Sequence, residues 1–107
     1  MKRLFTGLIL CLALAGCKSQ GADFVGKWAN QDGDLRELIT VEKVDSGYRA
    51  VSRLNEQDVM SLDLKLIAES DTRLVIANTQ QRALDMNPDG TVTSELRGKN
   101  KVFTRVQ

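Results

Sequence analysis

The chain has 107 residues, with 15 lysines and arginines against 14 aspartates and glutamates, and a formal net charge of +1. This length fits one domain, and the balanced charge gives no electrostatic reason to expect nucleic acid as a partner. Histidine is absent, and the two cysteines are Cys11 and Cys17. Within this chain, these counts exclude a histidine-based catalytic triad, a disulfide framework and a structural zinc site of the common types.

The first sixteen residues have the three-part order of a secretory signal peptide. Lys2 and Arg3 form a positive start, an almost wholly apolar run follows from 4 to 15, and small residues close it at Ala15-Gly16. The run is shorter than the roughly 20 residues that a membrane-spanning helix needs. Its length instead matches the apolar region of a signal peptide, so we predict that residues 1–16 are a signal peptide.

Residues Leu14-Ala15-Gly16-Cys17 resemble the lipobox of bacterial lipoproteins. The resemblance implies cleavage between Gly16 and Cys17 and a diacylglyceryl group on the Cys17 thiol. In most Gram-negative bacteria it also implies an acyl chain on the new amino group of Cys17. Several chains anchor a protein stably, because each buried methylene contributes about 0.8 kcal/mol. An ordinary signal peptide or an uncleaved anchor helix is the alternative, and no cofactor besides the covalent lipid is expected.

Lys18 follows the lipid-bearing position. In Gram-negative lipoproteins an aspartate there commonly retains the protein in the inner membrane, so the resemblance implies the outer membrane for this chain. In a bacterium with a single membrane, it implies the outer face of that membrane. We therefore expect the membrane as a partner through the lipid, with residues 17–22 as a lipidated cysteine and a short polar tether. Five extended residues reach about 18 Å at most.

Residues 23–107 are predicted to form one small all-β domain. Seven turn-forming segments separate eight candidate strands, and they lie at 31–34, 45–47, 55–58, 69–72, 78–81, 87–90 and 97–100. Between them apolar and polar residues alternate, most clearly with Met60, Leu62, Leu64 and Leu66 on one face. This pattern predicts an up-and-down antiparallel β-barrel of about eight strands, with a two-sheet β-sandwich as the alternative. Within either architecture, residues 55–60 would also fit a single helical turn.

Gly26-Lys27-Trp28 lies on the first predicted strand and resembles the motif of lipocalins and the wider calycin group. In that group the Trp closes one end of the barrel and a basic residue from the last strand stacks on it. The resemblance implies this role for Trp28 and Arg105, with Lys101 as the alternative partner. Such a cation–π contact gains about 0.5–2 kcal/mol. The alternative interpretation is that Trp28 is a core residue of another small β domain.

Enzymatic activity is not expected. Cys17 is assigned to lipid, which leaves no thiol nucleophile. The acidic pairs Asp32/Asp34 and Glu56/Asp58 lie in polar, turn-like segments, where such residues form turns or are solvated. The segment around Asp32 also lacks the further oxygen ligands of a calcium loop. We therefore predict a chain that is not an enzyme and holds no metal.

Arg97, Lys99 and Lys101 form a basic stretch near the end of the chain. One interpretation is a solvated hairpin with protective lysines at a strand edge. The other is a basic surface for an acidic partner, such as lipopolysaccharide phosphate, peptidoglycan carboxylate or an acidic protein loop.

Together these features predict a non-enzymatic, membrane-anchored binding module for another envelope protein or glycan. A lipocalin-like carrier of a small apolar ligand is one alternative. Another is a lysozyme inhibitor or immunity-type protein. Ser46-Gly47-Tyr48 resembles the loop with which the membrane-bound inhibitors of C-type lysozyme enter the enzyme cleft.

Overall fold

A computed structural model describes residues 19–55 and 57–106 of the chain. The predicted signal peptide, the lipobox with Gly16 and Cys17, Lys18 and Glu56 lie outside the described residues. Within the described ranges, no helix has the length and the apolar character needed to cross a membrane.

A closed antiparallel barrel follows one short 3₁₀ helix at Ala22–Phe24. Its strands are β1 (Gly26–Asp32), β2 (Leu35–Val44), β3 (Gly47–Leu54), β4 (Gln57–Ser70), β5 (Arg73–Ile76), β6 (Arg82–Met86), β7 (Val92–Ser94) and β8 (Lys101–Val106). Each strand pairs with the next, and β8 pairs back with β1. The prediction of an all-β, eight-stranded up-and-down barrel is confirmed, and the two-sheet alternative is wrong because the closing β1–β8 ladder joins all strands in one sheet.

The inward faces follow the period-two pattern of the sequence. On β3, Tyr48, Ala50 and Ser52 are buried, as their alternation with arginines predicts. On β2 both faces carry apolar residues, so the alternation alone does not decide which face points inward. The structure turns Glu37, Ile39 and Val41 inward. The packed core comprises Phe24, Trp28, Ile39, Val41, Tyr48, Ala50, Leu66, Leu74, Ala83, Leu84, Val92 and Phe103.

Met60 departs from the predicted alternation of β4. Its side chain is 70% exposed and its φ is 61°, in the left-handed region. The strand pairing explains the departure, because Ser52 pairs with Leu62 whereas Leu54 pairs with Gln57. Residues 58–61 therefore lie opposite Arg53 alone and form a β-bulge. The helical alternative for 55–60 is also wrong, since residues 57–60 belong to β4.

Successive strands run in opposite directions, so the barrel has two distinct ends. The turns after β2, β4 and β6 lie at one end together with residues 19–25, and we call it the N-terminal end. The turns after β1, β3, β5 and β7 lie at the other, which we call the far end.

The segment predicted as a free tether packs onto the N-terminal end. The Tyr48 hydroxyl donates a 2.6 Å hydrogen bond to the carbonyl oxygen of Gln20. Gly21 is buried with a φ of +84°, and a Cβ atom there would lie 2.8 Å from Cδ2 of Leu74. The absence of a side chain lets the backbone lie against the barrel. The structure therefore places residues 20–22 within the domain, and the small polar residues that suggested a tether serve close packing instead.

Candidate functional site

Trp28 and Arg105 meet at the N-terminal end, where β1 and β8 pair them directly. Cζ of Arg105 lies 4.2 Å from the centroid of the Trp28 ring, which is 1% exposed. The indole Nε1 donates a 2.9 Å hydrogen bond to the Phe24 carbonyl. The Arg105 guanidinium also donates to the carbonyls of Asp23 and Val25, at 2.7 and 3.0 Å. These contacts tie the N-terminal segment across this mouth of the barrel.

The geometry around Trp28 explains why the Gly26-Lys27-Trp28 motif begins with glycine. Gly26 has a φ of +137°, and a Cβ atom on it would lie 2.5 Å from Nη1 of Arg105. Only glycine leaves room for the guanidinium at that place without strain. Lys101, the alternative partner, lies at the opposite end of β8, in register with Ser94. The structure thus brings Trp28 and Arg105 together, while the calycin-like meaning of the pair stays a prediction.

A buried polar cluster closes the far end. Glu37 is 2% exposed, and its Oε2 accepts hydrogen bonds from Ser52 Oγ at 2.6 Å and Arg97 Nε at 3.3 Å. Arg97 Nη2 donates to the carbonyls of Ser52 and Met60, at 3.3 and 2.8 Å. Arg97 thus reaches from the loop after β7 to strands β2, β3 and β4. We call Glu37, Ser52 and Arg97 the far-end cluster.

No motif in the sequence marks this cluster, although one feature points to it. Glu37 shares the inward face of β2 with Ile39 and Val41. A carboxylate on an apolar face must find a partner, because burying an unpaired charge is costly. An arginine in a distant loop is an obvious donor, but the sequence alone does not say which one.

The predicted basic stretch does not form one continuous face. The Arg97 side chain is 18% exposed and is bonded inside the far end. Lys99 is exposed in the following loop, whereas Lys101 is half-buried at the start of β8, on the same side of that strand as Phe103. The hypothesis of a basic surface therefore retains Lys99 as its exposed member.

The outer wall carries an open polar cleft of about 410 Å³ near the turn after β2. It is lined by Val44, Asp45, Ser46, Arg49, Asp63 and Lys65. Arg49 donates to both Asp63 oxygens, at 2.9 and 2.6 Å, and its hydrogen bonding holds the pKa of Asp63 below its ordinary value. Lys65 Nζ donates a 2.8 Å hydrogen bond to Ser46 Oγ. The cleft therefore presents the Ser46 hydroxyl and the Lys65 ammonium side by side, one from the turn after β2 and the other from β4.

The acidic pairs considered for acid–base catalysis, and for calcium in the case of Asp32 and Asp34, do not form a site among the described residues. Asp32 and Asp34 are both exposed at the turn after β1. Glu56 lies outside the described residues, and the structure does not describe the side chain of Asp58. Among the residues that are described, no group of three or more acidic, histidine or cysteine side chains could hold a metal ion.

A second, smaller cavity of about 170 Å³ lies at the N-terminal end and is lined by Ser19, Gly21, Ala22, Asp23 and Asp71. The nearby Tyr48 has a pKa above its ordinary value, first because of burial and then because of the negative charge of Asp71. The phenol therefore stays protonated and keeps donating to Gln20.

Comparisons with known proteins add no further constraint. A scan against protein-family models found no match, and searches of curated proteins and of solved structures found none either.

Proposed function

We propose that the chain is a membrane-anchored, non-enzymatic binding module of the bacterial cell envelope, acting through its outer surface. The observation that carries this proposal is the closure of the barrel at both ends. Trp28 and Arg105 cover one mouth, and the far-end cluster covers the other. Large side chains that are less than 2% exposed fill the space between.

This packing favours surface binding over carriage of a small apolar ligand. A ligand-binding barrel of eight strands keeps an internal cavity at one mouth. Here the inward positions of β2 and β3 hold Ile39, Val41 and Tyr48, all 2% exposed or less. A carrier would have to displace these side chains and break the far-end cluster. A binding partner at the outer wall or at a barrel end needs no such change.

Lipidation at Cys17 would also fix how the barrel stands on the membrane. Gln20 is held to the barrel by Tyr48, and it lies three positions after Cys17 in the chain. Three extended residues span about 11 Å at most. The N-terminal end would then lie close to the bilayer, with the far end directed away from it. This orientation leaves the far end and the outer wall for another envelope component.

Affinity capture from the native envelope tests the proposal. We expect tagged full-length protein to sediment with membranes and, after solubilisation in detergent, to retain a specific envelope protein or glycan. The Cys17→Ser variant should lose the lipid, fail to sediment and recover at least tenfold less partner, because the acyl chains supply the membrane affinity. Mass spectrometry of the processed chain and of the captured material is the measurement.

Cys11→Ser is the matched control, since Cys11 lies in the predicted signal peptide. This variant should sediment and capture like the parent. Unchanged mass and sedimentation of the Cys17→Ser variant would overturn the anchor. A correctly lipidated protein that retains nothing above an untagged control would overturn the binding function.

Inhibition of a lysozyme is a second candidate, favoured by the polar cleft at the β2–β3 hairpin. Ser46 is exposed, and its hydroxyl accepts a hydrogen bond from Lys65. Lysozyme works with two carboxyl groups that flank its substrate cleft. The Ser46 hydroxyl at this turn and the Lys65 ammonium on the neighbouring strand β4 are suitable donors to such a pair.

This second function predicts inhibition of C-type lysozyme by micromolar Cys17→Ser protein. Lys65→Ala should weaken inhibition about tenfold to a hundredfold, since a hydrogen bond to a charged group is worth about 1.5–3 kcal/mol. Lys27→Ala, which alters an exposed lysine on β1, is the control and should not change it. A turbidity assay of cell-wall lysis measures both, and full lysozyme activity at micromolar protein rejects this candidate.

A further inference from the structure

The polar cleft beside the turn after β2 contains a charged donor that the fold leaves largely unused. Arg49 in this cleft is already paired with the carboxylates of Asp63 and Glu42, at 2.6 and 3.3 Å. Lys65 differs, because its ammonium makes one hydrogen bond among the described residues, the one to Ser46 Oγ. An ammonium carries three N–H donors, so two of those on Lys65 remain for a ligand.

The Ser46 hydroxyl beside it is also available to donate. Its Oγ accepts the 2.8 Å hydrogen bond from Lys65 Nζ, and no acceptor for its own proton is present among the described residues. A hydroxyl that accepts one hydrogen bond can still give one. Since the hydroxyl and the ammonium lie side by side, their donors can converge on one oxyanion, and a hydrogen bond between charged groups is roughly twice as strong as a neutral one.

A carboxylate without a partner lines the same cleft. Asp45 directly precedes Ser46 in the turn and is exposed. It makes no hydrogen bond or ion pair with any part of the chain that the structure describes. The cleft therefore offers a cationic donor pair and, next to it, an anionic acceptor. This combination suits a ligand that itself carries an oxyanion and an ammonium group.

The cleft lies at the end of the barrel that lipidation would bring to the bilayer. Tyr48, two positions after Ser46, holds Gln20 through its hydroxyl, and Gln20 lies three positions after Cys17. Extended stretches of two and three residues span about 7 and 11 Å at most. Acyl chains on Cys17 would therefore keep phospholipid head groups close to Ser46.

We propose that this cleft binds the phosphoethanolamine head group of a membrane phospholipid. The phosphate oxygens accept hydrogen bonds from Lys65 and Ser46, and the ethanolamine ammonium donates to Asp45. This inference rests on the proposed anchoring at Cys17 and names the lipid that the anchored barrel contacts. The cleft of about 410 Å³ is open to such a group from the outer wall. A weak affinity is sufficient, because the anchor holds the site at a high effective concentration of head groups.

Other phospholipid head groups match the lining less well. A choline group has no N–H to donate to Asp45, and proteins that recognise it use aromatic rings, none of which lines this cleft. An anionic head group without an amine would leave Asp45 unpaired next to a second negative charge, which is unfavourable. The spare carboxylate therefore selects an ethanolamine lipid over both.

Titration with a soluble head group tests the site. The purified lipoprotein in a non-ionic detergent is titrated with glycerophosphoethanolamine and followed by the NMR shifts of the Ser46 and Gly47 amides. We expect saturable shifts with a millimolar dissociation constant, and at least tenfold weaker binding of glycerophosphocholine and of inorganic phosphate. Equal binding of phosphate would leave only an anion site, equal binding of glycerophosphocholine would remove the role of Asp45, and absent shifts would remove the site; each result overturns the proposal.

Substitutions in the cleft identify the groups that bind. Lys65→Met and Asp45→Asn should each weaken binding of glycerophosphoethanolamine at least tenfold, with melting temperatures close to that of the parent, because both side chains are exposed. Lys27→Met and Asp34→Asn change the same charges at exposed positions outside the cleft and should leave binding within about twofold. If either cleft variant binds like the parent, or the controls weaken binding as much, the proposed contacts are wrong.

Vesicles distinguish a membrane lipid from a free zwitterion as the source of the head group. The lipoprotein is reconstituted with phosphatidylglycerol and either phosphatidylethanolamine or phosphatidylcholine. We expect amide hydrogen exchange at Ser46 and Gly47 to be at least tenfold slower with the ethanolamine lipid, and exchange at Gly33, in the turn after β1, to be the same in both. Equal exchange at Ser46 in the two vesicles would overturn the assignment to a membrane lipid, even if the soluble head group binds.

Failure of this site is distinguishable from failure of the proposed function. A missing anchor appears as unchanged mass and sedimentation of the Cys17→Ser variant, whereas a missing site appears as an empty titration of correctly lipidated protein. Slow exchange at Ser46 in ethanolamine vesicles would also count against lysozyme inhibition, because the bilayer would then cover the cleft that this second candidate needs.

Discussion

Replacing Trp28 with alanine is expected to lower the free energy of unfolding by about 3–5 kcal/mol, the usual cost of removing a large buried aromatic side chain. Trp28 is 1% exposed, and the change would also remove its hydrogen bond to the Phe24 carbonyl and the ring beneath Arg105. Since small domains have only about 5–15 kcal/mol of stability, much of the population would unfold. Urea denaturation followed by far-UV circular dichroism is the measurement, because Trp28 is the sole tryptophan for fluorescence.

Arg105→Met measures the contribution of the guanidinium to stability separately from that of the Trp28 indole. This variant leaves the indole buried but loses the cation–π contact and the hydrogen bonds to Asp23 and Val25. Because Arg105 is itself exposed, the expected loss is smaller, about 1–2 kcal/mol. If Arg105→Met cost more than Trp28→Ala, the arginine and not the indole would hold this end together.

The architecture could be predicted from the sequence because its causes are local. Turn residues such as Asn87 and Gly90 mark the chain reversals, and period-two alternation assigns the inward face of a strand once one face is clearly apolar. The pattern was decisive for Tyr48 and Ala50. It failed at Met60, where a bulge shifts the pairing by several residues and leaves an apolar side chain in solvent.

The contacts that close the two ends of the barrel differ in how far they could be predicted from the sequence. Trp28 and Arg105 lie on the first and last strands, so a barrel that closes must place these strands side by side. Glu37 and Arg97 are 60 residues apart, and their meeting depends on how a loop turns over the mouth. The sequence shows the charge of Arg97 but not the side to which the loop directs it, so a surface interpretation was equally consistent with it.

Removing the arginine of the far-end cluster is expected to cost about 3 kcal/mol of unfolding free energy. Arg97→Ala would leave the Glu37 carboxylate buried with Ser52 as its remaining hydrogen-bond donor among the described residues, and breaking a buried ion pair costs about 3–5 kcal/mol. The low end of that range applies, because the arginine side chain keeps 18% of its exposure. Lys99→Ala, an exposed substitution in the same loop, should stay within about 0.5 kcal/mol of the parent in the same denaturation experiment.

A double substitution distinguishes two costs in unfolding free energy: that of leaving a buried charge without its partner and that of losing packing contacts. Glu37→Leu combined with Arg97→Met removes both charges, and replacing a buried pair with apolar residues is often neutral or stabilising. We therefore expect the double variant to be more stable than either single variant, with a coupling energy of about 1–3 kcal/mol in the thermodynamic cycle. Strictly additive effects would mean that Glu37 and Arg97 do not act as a pair.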